Sequence, residues 1–392
     1  MRLAILQQAF GRFGGAEKLA LAHFHQLRKM NVDATFFYDG WFPRDSVDRL
    51  DGLDIRGIPS GLPAPTNLKA ILDFVKQLRQ FDRILIHHHV EPILAYFVSK
   101  LFGSSTIWYS GGGPFELVWE EYITGRKYRE VSTTLEKTSN HFYGRVVSRF
   151  LLSDRFYGTT TRIAQVVDIK TVRNFSKIIA NSKYTARLLT NIYGLTEAPL
   201  VVYPGADPVL TDLASANGHR ESDYMLSVGA LIPQKNLDTV IRAASTVPAS
   251  KLAFVGNGRE IENLRNLAGR LHVGLRIVNN ATVNELADNY SRCQFLVHMA
   301  LYEPFGLTPI EAALFSKPSI VTNRGGPSET VIDGETGFVV DPTSTRKMGK
   351  LMQFLLNEDK LRHEMGQKAR RFTTRTFTIE KSTQDLLTVI EN

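Results

Sequence analysis

Short apolar runs alternate along the chain with stretches whose apolar positions recur every three or four residues. The runs suit strands covered on both faces, and the longer period suits amphipathic helices that cover them. Such alternation predicts βαβ units and parallel sheets. In the first half, 2–8 (RLAILQQ), 33–39 (DATFFYD), 83–89 (RILIHHH), 105–110 (STIWYS), 177–182 (KIIANS) and 200–204 (LVVYP) read as strands, with a helix over about 16–30. The pattern restarts with strands at 224–231 (YMLSVGAL), 251–258 (KLAFVGNG), 275–279 (LRIVN), 294–300 (QFLVHMA) and 318–323 (PSIVTN), and reads as helix alone from about 345 onward. Residues 205–222 (GADPVLTDLASANGHRES) are polar and rich in small residues, the composition of a linker. The expectation is an α/β chain with domains 1–205 and 206–374. Two open sheets joined by one linker predict a cleft between them, with ligands at the C-terminal ends of the strands.

Composition narrows the class. At 392 residues with 43% apolar and 22% charged content, the chain has material for a large core that needs no staples. Cys293 is the single cysteine, which excludes an intrachain disulfide and the usual two-cysteine zinc motifs. The apolar run 92–102 is too short for a membrane span and is broken by Ser99 and Lys100. The N-terminal MRLAILQQAFGRFGG lacks the form of a signal peptide, so a cytoplasmic protein is expected. Charge is uneven: residues 1–205 carry a net +8 and the remainder is balanced, while 126–187 alone carries +9. A solvated helical surface would account for this. So would attraction to an anionic membrane face or phosphorylated substrate, which ranks above nucleic acid because no nucleic-acid motif accompanies the aromatics there.

The segment 301–342 carries the most chemistry. A strand ends in Glu303-Pro304-Phe305-Gly306-Leu307 and a helix follows, with Glu303 and Glu311 separated by seven residues. The unpaired amides of a helix N-terminus can hold a diphosphate without a metal, and a nearby carboxylate can accept hydrogen bonds from vicinal sugar hydroxyls. Together these suggest a nucleotide-sugar pocket. Thr308-Pro309-Ile310-Glu311 is also a well-formed helix start, in which Glu311 would only close a capping box. Both readings stand at this point. His87-His88-His89 invites a metal, but neighbouring strand residues alternate faces, and a hydrogen-bonding role is the better expectation. One of them, His89 at the strand end, can line the cleft. Asn181-Ser182 follows a strand, where Ser182 can cap the next helix.

EPFGLTPIEA (303–312) resembles the E-x7-E signature of the retaining glycosyltransferases of family 4. The following GGPSETVIDGETGFVVDP is similar to the family's next segment. Gly14-Gly15-Ala16-Glu17, SVGALIPQKNLDTVIRA (227–243), FVGNGRE (254–260) and VVYPGADP (201–208) resemble, in order, its N-terminal glycine loop, its phosphate-lysine segment, its VGxG turn and its inter-domain crossing. The resemblance covers the chain in outline and is most specific in the second half. It implies the GT-B fold: two Rossmann-like doubly wound domains facing a central cleft, with the C-terminal helix at about 375–392 packing back on the first. The acceptor would sit mainly on the first domain and the donor on the second. Glu303 would contact the transferred sugar, Glu311 the ribose, and Lys235 the diphosphate leaving group. Gly14, Gly15, Gly229, Gly256, Phe305, Gly306, Leu307 and Thr308 would complete the donor site, with no metal and no cofactor beyond the donor.

Two positions depart from the family. Ala230 stands where an arginine is common, and Ser110-Gly111-Gly112-Gly113 stands where a histidine is usual. Gly111 and Gly112 are therefore assigned to close backbone approach on the acceptor side. The expected activity is a retaining, metal-independent transfer of sugar to a hydroxyl acceptor, lipid-linked or polysaccharide, by an enzyme peripheral on the inner membrane face. A nucleotide-sugar-binding partner subunit without turnover and a GT-B epimerase are the alternatives. An oxidoreductase is disfavoured because Gly11-x-x-Gly14-Gly15 lacks dinucleotide spacing.

Overall fold

A computed structural model of the chain describes residues 1–8, 15–39, 55–57, 68–88, 92–111, 168–216 and 223–392. The chain divides into two compact units, Met1–Tyr203 with Thr383–Asn392, and Pro204–Ser382. The last helix, Ile379–Glu391, therefore begins in the second unit and ends in the first.

Seven strands among the described residues form the first sheet: β1 (Arg2–Gln8), β2 (Asp33–Asp39), β3 (Ile55–Gly57), β4 (Arg83–His87), β5 (Thr106–Ser110), β6 (Lys177–Ala180) and β7 (Leu200–Val201). They are parallel, in the order β3-β2-β1-β4-β5-β6-β7. Leu3, Ala4, Ile5 and Leu6 are all fully buried, as a strand covered on both faces requires. The helix Gly15–Lys29 covers β1 and β2 through Leu19, Ala20, Phe24 and Leu27. The second sheet holds β8 (Met225–Val228), β9 (Lys251–Val255), β10 (Gly274–Val278), β11 (Leu296–His298), β12 (Ser319–Thr322) and β13 (Gly337–Val340). It too is parallel, in the order β10-β9-β8-β11-β12-β13. Each sheet thus carries the strand order of a doubly wound, Rossmann-like domain. Among the described residues no helix is long and apolar enough to cross a membrane.

Sequence and structure differ in three places. The stretch 205–222 is not all linker: Pro208–Ala216 is a helix. Asp207 accepts from the Val209 amide at 2.9 Å, Pro208 takes the first helical position, and Leu210 and Ala214 bury its inner face. Small residues hid a helix whose apolar face is narrow. Two short strands went unread, β3 with three residues and the edge strand β13 with four. Most strands are also shorter than their apolar runs. The run 294–300 contributes only Leu296–His298 to the sheet, and the residues beyond enter the loop that builds the site.

Candidate functional site

The order of the second sheet reverses between β8 and β11, so the loops after these two strands diverge and leave a crevice at their C-terminal ends. After β8 the chain turns through Gly229 (φ 141°) into a 3-10 turn at Pro233–Lys235. After β11 it runs through 299–306 into the helix Leu307–Leu314. The two loops are stitched together: the Leu301 amide donates to the Gln234 carbonyl at 2.9 Å. Asn236, buried and left-handed (φ 55°), donates to the carbonyls of Met299 at 3.2 Å and Pro342 at 3.0 Å. The preceding Lys235 is thereby anchored to the ends of β11 and β13.

On this frame the Lys235 ammonium donates to Glu303 Oε2, with the two side chains 23% and 19% exposed. His298, buried at the end of β11, places Nε2 3.5 Å from the same oxygen, and its Nδ1 lies 2.9 Å from Thr308 Oγ1. Burial alone would raise the Glu303 carboxyl. The charge of Lys235 and the neighbouring His298 outweigh burial and hold the group well below the usual carboxylate range. Burial lowers the His298 ring despite Glu303 beside it, so the ring stays neutral. The result is an ionised carboxylate and a cation, both shielded, at the switch point of the sheet.

Glycines set the backbone around this cluster. A Cβ on Gly256 (φ 151°) would fall 1.8 Å from the Gly229 carbonyl oxygen, so the turns after β8 and β9 touch backbone to backbone. A Cβ on Gly325 would fall 2.2 Å from the Glu303 carbonyl oxygen, and the Gly326 amide donates to that oxygen at 2.9 Å. Gly306 (φ 96°) is the residue that caps the helix at 307, with no side-chain cap. The capping-box alternative is therefore overturned: Thr308 turns to His298, and Glu311 accepts from the Tyr290 hydroxyl at 2.6 Å. Phe305 is buried, 3% exposed, with its ring packed on Phe377. Ala230 is exposed in the turn after β8.

The first unit brings together a different set. At the end of β4, His87 Nε2 lies 2.9 Å from Nδ1 of His23, and its ring stacks on Tyr109 at 4.7 Å; all three are fully buried. His88 follows with φ 65°, and a Cβ on Gly111 would fall 2.0 Å from its Nδ1. Gly111 thus makes room for an imidazole of the neighbouring strand, a different reason for glycine from approach to a ligand. Its carbonyl accepts from Asn181 Nδ2 at 2.9 Å, and Ser182 Oγ caps the helix Lys183–Tyr193 by accepting from the Thr185 amide. Gly15 is the first residue of the helix at 15–29. Gly14, Gly112, His89 and all of 126–187 before residue 168 lie outside the described residues.

Lys235, Glu303, Thr308 and Gly229 are brought together, and Glu311 is tied separately to Tyr290. His298, Asn236, Tyr290 and His23 escaped the sequence reading. A histidine inside the apolar run 294–300 was the one local signal among them.

This arrangement can be set beside known proteins. Residues 212–372 match the family of glycosyl transferases, group 1. The matched segment contains β8 to β13 and the whole Lys235–Glu303–His298 cluster. An uncharacterized glycosyltransferase of Methanocaldococcus jannaschii is 28% identical over 221 residues, covering 56% of this chain and 60% of that protein. The chain thus spans well under two thirds of that relative's length. A GDP-mannose-dependent phosphatidylinositol monomannoside mannosyltransferase of Mycolicibacterium smegmatis is 24% identical, covering 70% and 74%. Among solved structures, Anabaena HepE in complex with UDP aligns over 100% of both chains with a TM-score of 0.72 at 17% identity. The architecture is the GT-B fold.

Proposed function

We propose that the protein is a retaining glycosyltransferase that moves a sugar from a nucleoside-diphosphate donor to a hydroxyl acceptor. The observation that carries this is the Lys235–Glu303–His298 cluster at the switch point of the matched segment. Glu303, ionised and held by its neighbours, accepts hydrogen bonds from hydroxyls of the transferred sugar. Lys235 neutralises the diphosphate as the bond from C1 to its oxygen breaks. The acceptor oxygen forms its bond to C1 on the same face and passes its proton to the departing phosphate oxygen, so the chain supplies no nucleophile. The amides at 305–307 face the sugar and phosphate, and Glu311 takes the ribose. Glu303 already occupies Lys235, so a diphosphate must share or displace that contact. Charge from Lys235 stands in for a metal, and chelators are expected to leave turnover unchanged.

The M. smegmatis relative is named for a lipid-borne acceptor. With the net +9 of 126–187, this favours a lipid-linked acceptor at an anionic, cytoplasmic membrane face. Liposome flotation tests it: binding indifferent to anionic lipid and to salt removes this half of the proposal.

Because HepE was solved with UDP, UDP leads a thermal-shift panel with GDP and ADP. At a hundredfold excess over Kd, ligand adds about 2.7 kcal/mol of stability. A flat response to all three overturns the donor assignment. The exposed Ala230, where the resemblance expects an arginine, favours a second reading, a binding subunit without turnover. Donor consumption by wild type and Glu303→Ala separates the two: equal background rates favour the binding subunit.

A further inference from the structure

We propose that His298 is held as the Nε2–H tautomer, its proton facing the Glu303 carboxylate and its Nδ1 accepting from the Thr308 hydroxyl, making His298 the positioning residue for that carboxylate. The ring has one neighbour at each nitrogen: Thr308 Oγ1 at 2.9 Å from Nδ1 and Glu303 Oε2 at 3.5 Å from Nε2. An ionised carboxylate only accepts hydrogen bonds, and a neutral imidazole carries one N–H. If the proton sat on Nδ1, a nitrogen lone pair would point at carboxylate oxygen inside a buried site. With the proton on Nε2, Nδ1 becomes an acceptor, and the freely rotating Thr308 hydroxyl donates to it. The acceptor-only carboxylate therefore selects the Nε2–H tautomer, and the Thr308 hydroxyl, which can donate or accept, completes it by donating to Nδ1.

The consequence falls on Glu303. Lys235 and His298 both meet Oε2, from two directions, and no described residue meets Oε1. The carboxylate is thus gripped by one oxygen and presents the other as an acceptor. Lys235 cannot hold this orientation alone, because its flexible ammonium is the group a diphosphate would draw away. His298 sits on β11 with its ring 4% exposed and does not move with Lys235. At 3.5 Å the Nε2–Glu303 contact is long, and such contacts tighten when a ligand completes the site. Thr308 accordingly belongs to the support of Glu303 rather than to donor contact.

The test is nitrogen NMR of the full chain with 15N-labelled histidine, the His298 signals being identified by their loss in His298→Gln. The wild type is expected to show protonated Nε2 and bare Nδ1. Thr308→Val is expected to move the Nδ1 resonance, which loses its hydrogen-bond donor, while the proton stays on Nε2, and Thr308→Ser to keep the wild-type pattern. A wild-type ring with its proton on Nδ1, or a Thr308→Val spectrum unchanged from wild type, overturns the proposal. The wild-type spectrum alone is decisive should Thr308→Val fail to fold. The kinetic half rests on the reading of Glu303 as the sugar contact: Thr308→Val should lose on the order of tenfold in kcat, with Thr308→Ser restoring it. Absence of any nucleoside-diphosphate response would sink that reading while leaving the tautomer result standing, so the two failures are distinguishable.

Discussion

The buried pair His23–His87 makes the first unit acid-sensitive in a defined window. Both rings are fully buried and share one hydrogen bond of 2.9 Å. Burial lowers His23 from 6.5 to about 3, and burial, then His88 and His23, push His87 well below 6.5. The unfolded chain binds protons at these sites that the folded chain refuses. Stability is therefore complete above the unfolded value and falls as pH drops from about 6.5 toward the folded value near 3. At about pH 5 an unfolded histidine is almost fully protonated, so His23, held neutral, costs about 2 kcal/mol, a large part of an ordinary domain's stability. His87, shifted in the same direction, adds to that loss.

Between about pH 5 and 6 Glu303 and Asp341 add little slope, because both carboxylates are shifted downward and lose their share of stability only as pH falls below their unfolded values of about 4. Urea unfolding at several pH values, with amide exchange of β4 and β5 to assign the first unit, measures the slope. His23→Gln keeps a donor and an acceptor beside His87 but takes no proton. It should flatten the slope by about 1.2 kcal/mol per pH unit between about pH 5 and 6. Equal slopes in wild type and variant would refute the account, since they would mean that His23 is protonated in the folded state or exposed to solvent.

Other expectations follow from the second unit. Glu303→Gln removes the carboxylate that occupies Lys235, so a nucleoside diphosphate should bind more tightly by calorimetry while donor turnover is lost. Ala230→Arg adds a cation to the exposed turn after β8 and should strengthen diphosphate binding by about 1 kcal/mol at low salt, fading as salt rises. Tyr290→Phe keeps the buried ring but removes its hydrogen bond to Glu311; a loss of about 1 kcal/mol in stability and weaker binding of ribonucleotides are expected by denaturation and thermal shift. Gly256→Ala forces a side chain against the Gly229 carbonyl at a φ only glycine adopts, and should destabilise the protein by at least about 2 kcal/mol.

Both sheets were legible because their strands are short apolar runs between helical patterns, and β1 and β2 match those runs residue for residue. What stayed hidden was small or non-local. β13 pairs only with β12, and four residues carry too little pattern to stand out. The helix at 208–216, PVLTDLASA, mixes Pro, Asp, Thr, Ser and Ala with few apolar residues and buries only Leu210 and Ala214, so it reads much like a linker. Tyr290 reaches Glu311 across 21 residues, and His23 reaches His87 across 64, distances over which no spacing rule operates.

The pairing of Lys235 with Glu303 shows why a site can be legible when its contacts are not. The two are 68 residues apart, and nothing local joins them. Yet Lys235 lies in the turn after β8 and Glu303 in the loop after β11, and the order β10-β9-β8-β11 makes those strands neighbours whose connections leave in opposite directions. Residues placed just after the first and fourth strands of such a sheet must meet, whatever lies between them, because right-handed crossovers allow few other arrangements. His298 obeys the same rule as the last residue of β11. Its polar ring at the end of an apolar strand costs stability unless its nitrogens find partners; Nδ1 has Thr308 at 2.9 Å, while Nε2, 3.5 Å from Glu303, makes no hydrogen bond. A last strand residue that is polar, buried and only half satisfied is therefore the local feature that sets this position apart from the rest of the apolar run.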